Sequence, residues 1–583
     1  MKYPLLLVGS LFCSALGFAQ TCDEYTELTD TKPYDPESVW KEMPSSPCFR
    51  WGSVDVRYPK RNLPRLPNEN TTWKTKAWKG ERINAQAVLW TREQLTDVQV
   101  RVGELRSGSC VIPSSAIRPS FLRYVMTDEL NKDGKSACGP RPDPSAWDSS
   151  LVADVLYKPE WKEIQACTAQ PVWIQVHIPQ SARPGLYKGV ATVSGKDFAD
   201  RLLMLEITVL DRVLPAPEAW RFHLDLWQNP YAVARYYHTP LWSEAHFEAM
   251  RPIMKQLAEA GQKVITTTIL HKPWNGQTED PFDSMVSKIK KIDGAWEYDY
   301  TVFDQWVEFM TDLGIDKQIN CYTMIPWALR FDYFDQATNR VRFIEAQPGD
   351  GAYTAYWDAF LRDFSAHLRR KGWFERTTIA MDERGLEAMK EAIKVIRKAD
   401  PEFKISLAGN YHQEIANELH DFCLSFGSHF PEDVKAARNK AGKVSTVYTC
   451  CAEARPNTFT FSPPAEAAWI GWHVAAGGYD GYLRWAYNSW TTDPLRDSRF
   501  RTWAAGDCYL VYPGYSSIRM ERLIEGIQDY EKIHILREEF ADKKADAKRK
   551  KLDAAVSMFT HDKIQTRNVA NDLHTARNIL NSF

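Results

Sequence analysis

The sequence predicts an N-terminal antiparallel β-sandwich, then a (β/α)8 barrel, then C-terminal helices. Length, a change in the period of the apolar residues, and one acidic pair carry that prediction. A chain of 583 residues exceeds what one core usually holds. Apolar residues alternate at period two up to about residue 212; beyond Trp220 they fall into short runs separated by stripes at helical spacing. The pair, Asp382-Glu383, follows the apolar run 377–381 and precedes a helical stripe, the place where such barrels carry their chemistry.

Residues 1–19 read as a secretory signal peptide, with Lys2 for charge, an apolar stretch from Leu5 to Leu16, and small Gly17 and Ala19 before the cleavage site. A membrane anchor is the competing reading, but the stretch is short for a span of ~20 residues and no stop-transfer pattern follows. Cys22 follows Gln20-Thr21, which argues against a lipoprotein. A periplasmic or secreted location is expected, with no membrane segment in the mature chain.

The sandwich is assigned to 20–212 from alternating runs at 85–90, 98–102, 172–178, 189–193 and 202–210, separated by turn residues such as Arg183-Pro184-Gly185. Pro215 and Pro217 mark the linker. The barrel is assigned to 213–514, with strands at 222–228, 263–270, 318–323, 377–381, 404–409, 423–426, 444–449 and 481–487. Between them Phe303, Trp306, Met310 and Leu313 run into Gly314, and Trp357, Phe360, Phe364 and Leu368 into Gly372, stripes that end at a helix stop. Leu386, Met389, Ile393 and Ile396 form one face of the helix after the acidic pair. A doubly wound sheet is the alternative that eight alternating units leave open. Residues 515–583 read as helices, beginning with a charged amphipathic one over 519–531, and the Lys-rich stretch 542–551 reads as a solvated face.

With 73 basic and 75 acidic residues the charge is balanced, which implies no nucleic-acid partner. Ten cysteines remain after the signal, an even number that an oxidising compartment can pair. Cys22 with Cys48, and two among Cys110, Cys138 and Cys167, are the expected pairs, while Cys450-Cys451 reads as two thiols near a strand end. No Cys-x-x-Cys or His-Glu-x-x-His occurs, so neither metal nor cofactor is expected. The 22 Trp, 25 Tyr and 26 Phe suit a protein that stacks sugar rings on flat aromatic faces, although aromatic core packing accounts for most of them.

Asp-Glu occurs three times, and only Asp382-Glu383 has a strand before it and a helix after it. Adjacency constrains its chemistry. A retaining glycosidase with its own nucleophile sets two carboxyls on either side of the scissile bond, roughly 5–5.5 Å apart. Neighbouring Cα atoms lie about 3.8 Å apart, which makes that flanking placement awkward. Two adjacent carboxylates serve one sugar from one side more readily. One protonates the leaving oxygen and the other holds the substituent on C2, as hydrolysis assisted by a 2-acetamido group requires. An ionised neighbour helps keep the acid protonated.

The segment Ile379-Ala-Met-Asp-Glu-Arg-Gly385, the motif Trp485-Ala-Tyr-Asn-Ser-Trp490 and the late segment from Ser517 to Tyr530 together resemble glycoside hydrolase family 123 over nearly all of the mature chain. The resemblance implies an exo-acting, retaining β-N-acetylgalactosaminidase that uses substrate assistance on a glycan with terminal β-linked N-acetylgalactosamine, with glycosphingolipid glycans among the candidate substrates. It assigns Asp382 to the acetamido group and Glu383 to acid/base work.

Position nominates the remaining site residues. Trp485, Tyr487, Asn488 and Trp490 at the last strand are expected to wall the sugar. Tyr322, Tyr448 and Tyr487 compete to hold the acetamido oxygen. Asn410 and Tyr411 follow the fifth strand, His271 and Trp274 the second, and Trp327 the third. His223 and Asp225 read as a satisfied buried pair. The rival readings are a β-N-acetylglucosaminidase or broad hexosaminidase, a glycosidase with Asp225 or Asp480 as nucleophile, and a carbohydrate-binding protein on an inactive barrel.

Overall fold

A computed structural model describes residues 26–128, 138–139 and 149–583, so the expected signal peptide and Cys22 lie outside the described residues. Alternation decides the first half of the chain. Leu203, Leu205, Ile207 and Val209 turn inward from one strand while Leu202 and Met204 remain exposed. Two sheets pack such faces together. One orders Cys48–Trp51, Arg82–Thr91, Thr168–His177, Ile117–Asp128 and Ser149–Leu156, all antiparallel. The other orders Thr72–Lys79, Phe198–Val213, Gly185–Gly195, Leu95–Val102 and Glu160–Ile164, and its first two strands run parallel.

The second half is a barrel of eight parallel strands: β1 His223–Leu226, β2 Val264–Thr268, β3 Gln318–Tyr322, β4 Thr377–Met381, β5 Lys404–Gly409, β6 Asp421–Ser425, β7 Val444–Tyr448 and β8 Gly481–Arg484. Seven fall within one or two residues of the expected runs, and β8 ends three residues before its expected end. The doubly wound alternative is excluded because β8 pairs with β1. At the seam between β1 and β2, Lys263 N–H donates to the Leu224 carbonyl at 3.0 Å and the Gln262 side chain accepts from Leu226 N–H at 3.0 Å. Those bonds near-close the ring where the ladder is incomplete.

Helices follow most strands, although the chain makes turns between β5 and β6. Two hairpins interrupt the pattern at the C-terminal face. Ser287–Lys290 with Trp296–Asp299 follows β2, Arg330–Asp335 with Arg340–Glu345 follows β3, and the two join through a parallel pairing of Ile289 with Phe334.

The helix Ile518–Glu539 departs from the expected amphipathic pattern, for it is buried on nearly every side from Ile518 to Ile533. It lies between the sandwich, the helix Pro464–Gly477 and the last helices, so its charges meet partners instead of water. Arg519 pairs with Asp154 at 2.9 Å with both side chains essentially inaccessible. Glu521 pairs with Arg82 at 3.2 Å, and Lys532 with Glu81. Burial of such ions is tolerable only where partners complete them. A sequence of alternating charges does not reveal that the partners sit on another domain.

The disulfide pairing differs from expectation as well. Cys138 in the sandwich bonds Cys451 beyond β7, across 313 residues, while Cys48, Cys110 and Cys167 are free thiols. Spacing within the sandwich could not show a bond to another domain. Of the Cys450-Cys451 pair only Cys450 stays free, with its sulfur within 4.8 Å of both bonded sulfurs.

Gly471 and Gly526 let the two long helices cross backbone to backbone. A Cβ on Gly526 would stand 2.4 Å from the Ala468 carbonyl oxygen, and one on Gly471 2.0 Å from that of Gly526. Gly526→Ala is expected to cost about 1–3 kcal/mol or more through overpacking. Gly103→Ala, where an added Cβ meets nothing within 4 Å, serves as the control. Equal urea midpoints for the two variants would refute this account of the crossing.

Candidate active site

The site begins with the alternation of β4. Ile379 and Met381 face the helical layer, whereas Thr378 and Ala380 face the barrel interior. The same period carries Asp382 inward. It is 7% exposed, and the indole N–H groups of Trp274 and Trp327 both donate to its Oδ2, at 2.9 and 3.0 Å. Its Oδ1 is buried and carries no hydrogen bond among the described residues. Burial pushes the carboxyl up to about 6, against the pull of the two indoles and of Arg384.

Glu383 comes after the strand has ended and is exposed at the mouth. Its Oε1 accepts a hydrogen bond from the hydroxyl of Tyr448, the last residue of β7. Burial, then the charge of Glu383, raises that hydroxyl above the usual tyrosine range and keeps it a donor. The two carboxylates thus have different partners on different sides of the mouth. The turn that frees Glu383 from the strand's alternation makes this possible.

Aromatic rings wall the space above the barrel core. Trp227 stacks on Trp274 with centroids 4.9 Å apart and contacts Tyr322 at 4.5 Å, while Trp274 meets Phe282 edge-on at 5.0 Å. Trp485 packs against this cluster and donates to Asp507 at 3.3 Å. Trp327 is 41% exposed, so its ring remains open to a ligand while its N–H is fixed on Asp382. The Tyr322 hydroxyl lies in the field of Asp225, Asp421 and Asp382 and has no hydrogen bond among the described residues.

The structure therefore brings Tyr322, Trp327, Tyr448, Trp485 and Trp274 to the acidic pair. Asn410 lines a cavity beside it. His271 stands farther out, with Nδ1 on Asp283 at 2.7 Å and its backbone N–H on Asp332. Three residues of the last-strand motif lie elsewhere. The Tyr487 hydroxyl donates to the Ile253 carbonyl at 2.7 Å, Asn488 clamps the backbone of Asn229 through both side-chain atoms, and Trp490 donates to the Val511 carbonyl. All three are fully buried and tie the loop after β8 to its neighbours. Tyr411 also turns away from the mouth and stacks on Phe422. These four stood near strand ends, but beyond a strand the period that sets facing no longer holds.

Trp227, Phe282 and Arg384 join the site without having been singled out from sequence. Trp227 was within reach, since alternation from His223 through Asp225 points it inward. Below it lies a polar barrel core. Asn320 donates to Asp225 at 3.3 Å, Gln318 to Asp421 at 2.8 Å, and His223 stands 3.5 Å from Asp421. Asp225 is buried and His223 partly so, but the pair is not satisfied as expected, since Asp225 Oδ1 and His223 Nε2 carry no hydrogen bond among the described residues, and burial raises the Asp225 carboxyl to about 7. Asp480 precedes β8 and accepts from Ser445 N–H, which puts it at the opposite end of the barrel from the acidic pair.

Two adjacent carboxylates at the C-terminal end of a barrel strand, under a wall of tryptophan, define a sugar-cleaving enzyme of the barrel class. Comparison with known proteins makes the class specific. The family model for the glycoside hydrolase 123 catalytic domain matches residues 227–536, and that for the glycoside hydrolase 123 N-terminal domain matches residues 51–195. The chain belongs to glycoside hydrolase family 123 and is a glycosidase. No curated protein matches it. Among solved structures, a family 123 glycoside hydrolase from Clostridium perfringens, studied for the details of glycolipid glycan hydrolysis, is similar at 27% identity. The TM-score is 0.82, over 92% of this chain and 97% of that one. A GH5 xyloglucanase from Bacteroides ovatus aligns over 78% of this chain and 98% of that one at 9% identity and a TM-score of 0.30, too slight a likeness to bear on the fold.

The setting of Asp382 has a measurable consequence. Its carboxyl is raised in the folded chain from the usual 3.8 to about 6, so its ionisation opposes folding. The stability present at low pH is lost as pH rises from about 4 through about 6. Asp382→Asn, which cannot ionise, is expected to be more stable than the parent at pH 8 by on the order of 2–3 kcal/mol, and not at pH 4. Denaturant melts at the two pH values check this, and a pH-independent difference would refute it.

Proposed function

We propose that this glycosidase releases terminal β-linked N-acetylgalactosamine from glycans, glycolipid glycans among them, by exo-acting, retaining, substrate-assisted hydrolysis. The unequal setting of the adjacent carboxylates carries this reading. Asp382 offers a buried, unpartnered oxygen, with its other oxygen already occupied by two indoles. That is the acceptor a 2-acetamido N–H needs. Glu383 is exposed and hydrogen-bonded to a tyrosine that stays protonated. That is the place for a group exchanging protons with a leaving oxygen and then with water.

In this mechanism the acetamido oxygen attacks the anomeric carbon as the bond to the leaving oxygen breaks and Glu383 supplies that oxygen with a proton. Asp382 holds the amide N–H and offsets the positive charge that grows on the oxazolinium ring. Water then opens the ring from the face the leaving group vacated, giving its proton to Glu383. Two inversions retain configuration. Tyr322 is the tyrosine suited to orient the acetamido oxygen, since the hydroxyls of Tyr448 and Tyr487 are committed elsewhere. An enzyme nucleophile finds little support, because Asp480 is at the far end of the barrel and Asp225 is bonded into its core. The galactosamine preference and the glycolipid substrate rest on family membership and on the Clostridium perfringens relative. Export through residues 1–19 belongs to the same proposal, and the Cys138–Cys451 bond suits an oxidising compartment.

Glu383→Gln is expected to lose roughly 10²–10⁴-fold on natural linkages and much less on activated aryl glycosides. Asp382→Asn is expected to impair both substrate types, and a substrate without the 2-acetamido group should not turn over. Steady-state kinetics on nitrophenyl β-N-acetylgalactosaminide, its gluco epimer and the deacetylated sugar check these points. Comparable turnover of the sugar lacking the acetamido group would overturn the mechanism. Asp382 acts ionised, so kcat/KM should fall as pH drops through about 6. A kcat/KM that stays level as pH drops through that value would count against Asp382 acting ionised.

A further inference from the structure

The acidic pair borders two spaces of opposite character. One is the tryptophan-walled mouth around Asp382. The other is a cavity whose polar wall is Asp382, Glu383, Arg384, Asn410 and His412, with Met389 and Leu407 as its apolar part. Its polar side chains have unused hydrogen-bonding capacity. Arg384 makes no hydrogen bond or ion pair among the described residues, and its Nε is buried. His412 is half-buried, and its ring has no partner among the described residues. Asn410 Oδ1 accepts from Ser425 Oγ at 3.1 Å, which anchors the amide and leaves its N–H2 group for a ligand. Around Asp382 the indole donors are already spent and the surface is aromatic, whereas here donors are free and no Trp, Tyr or Phe lines the space.

That contrast fits the two halves of a glycosidic linkage. On the substrate-assisted reading, on which this inference rests, Asp382 fixes the acetamido sugar and Glu383 protonates the oxygen leaving it. The atoms beyond that oxygen must continue past Glu383, away from the sugar held by Asp382. The cavity adjoins Glu383, and its donors match the hydroxyl oxygens of a sugar. We propose that Arg384, Asn410 and His412 form the subsite for a neutral, hydroxyl-rich leaving sugar and set which linkages the enzyme prefers. Arg384 and Asn410 donate to hydroxyl oxygens of that sugar, and His412 can donate or accept.

The test compares two substrates of the same terminal sugar, nitrophenyl β-N-acetylgalactosaminide and a disaccharide in which N-acetylgalactosamine is β-linked to a neutral hexose. His412→Ala and Arg384→Ala are each expected to lower the disaccharide-to-aryl ratio of kcat/KM by about tenfold or more, chiefly through KM. Arg384→Lys should recover part of the loss. Circular dichroism and thermal melts report whether each variant still folds. An unchanged ratio in both variants would overturn the subsite. Disaccharide binding to Glu383→Gln, followed by calorimetry with and without His412→Ala, separates this inference from the reading beneath it. Weaker binding on loss of His412 supports the subsite even if the parent enzyme fails to cleave the disaccharide, an outcome that would count against the proposed function alone. Undiminished binding would sink the subsite even if cleavage is confirmed.

Discussion

The site depends on one buried carboxylate kept in place by two indole N–H groups. Asp382 lies where β4 ends, and the period of that strand commits it to the barrel interior. Taking a carboxylate out of water is costly unless hydrogen bonds replace the water it loses. Trp274 and Trp327 supply two such bonds to a single oxygen, and both arrive on loops that the hairpins after β2 and β3 hold together. The residual cost appears as the raised carboxyl, and the unsatisfied oxygen is its structural counterpart. On the proposed mechanism, a substrate's amide N–H would complete what the protein leaves open, so the polar group that destabilises the empty enzyme would favour the substrate.

The sandwich supports this arrangement from outside the barrel. Buried ion pairs run from it to the helix Ile518–Glu539, through Arg519 with Asp154, Arg82 with Glu521 and Glu81 with Lys532. Such pairs add little net stability over apolar contacts, but losing one partner strands the other. They fix where the sandwich sits more than how tightly it is held. The Cys138–Cys451 bond continues that fixation to the loop after β7, three residues beyond the tyrosine that bonds Glu383. The sandwich thereby reaches one wall of the site through covalent structure.

Much of this was legible in the sequence because barrel strands are short, apolar and regularly interrupted. All eight were located, whereas which of the two acids faces inward became clear only once the period of β4 was set by Thr378 and Ala380. The resemblance to family 123 rested on three segments and is matched by the family models across both domains. Less could be read where a residue's role depends on contacts far along the chain. Tyr487, Asn488 and Trp490 stand beside the expected mouth in sequence, but each is bonded to a distant backbone group at Ile253, Asn229 or Val511. The charged helix looked amphipathic because its counterions lie hundreds of residues earlier. The disulfide was misassigned for the same reason.

Tryptophan content illustrates how far composition can lead. Among the 22 tryptophans, Trp40, Trp78, Trp173, Trp306, Trp357, Trp469, Trp472 and Trp490 are fully buried, and these fill cores as aromatic residues do in many large proteins. Trp227, Trp274, Trp327 and Trp485 gather at the barrel mouth. Exposure does not separate the two groups, since Trp227 and Trp274 are nearly as buried as core residues. What separates Trp274 and Trp327 is the direction of one N–H bond. Trp472 and Trp490 spend theirs on Asp529 and a backbone carbonyl within the scaffold, whereas Trp274 and Trp327 both spend theirs on the oxygen of a carboxylate that faces the ligand space. Counting tryptophans suggests that a protein handles sugars; the acceptors of their N–H groups separate those fixed on the acidic pair from those that only fill cores.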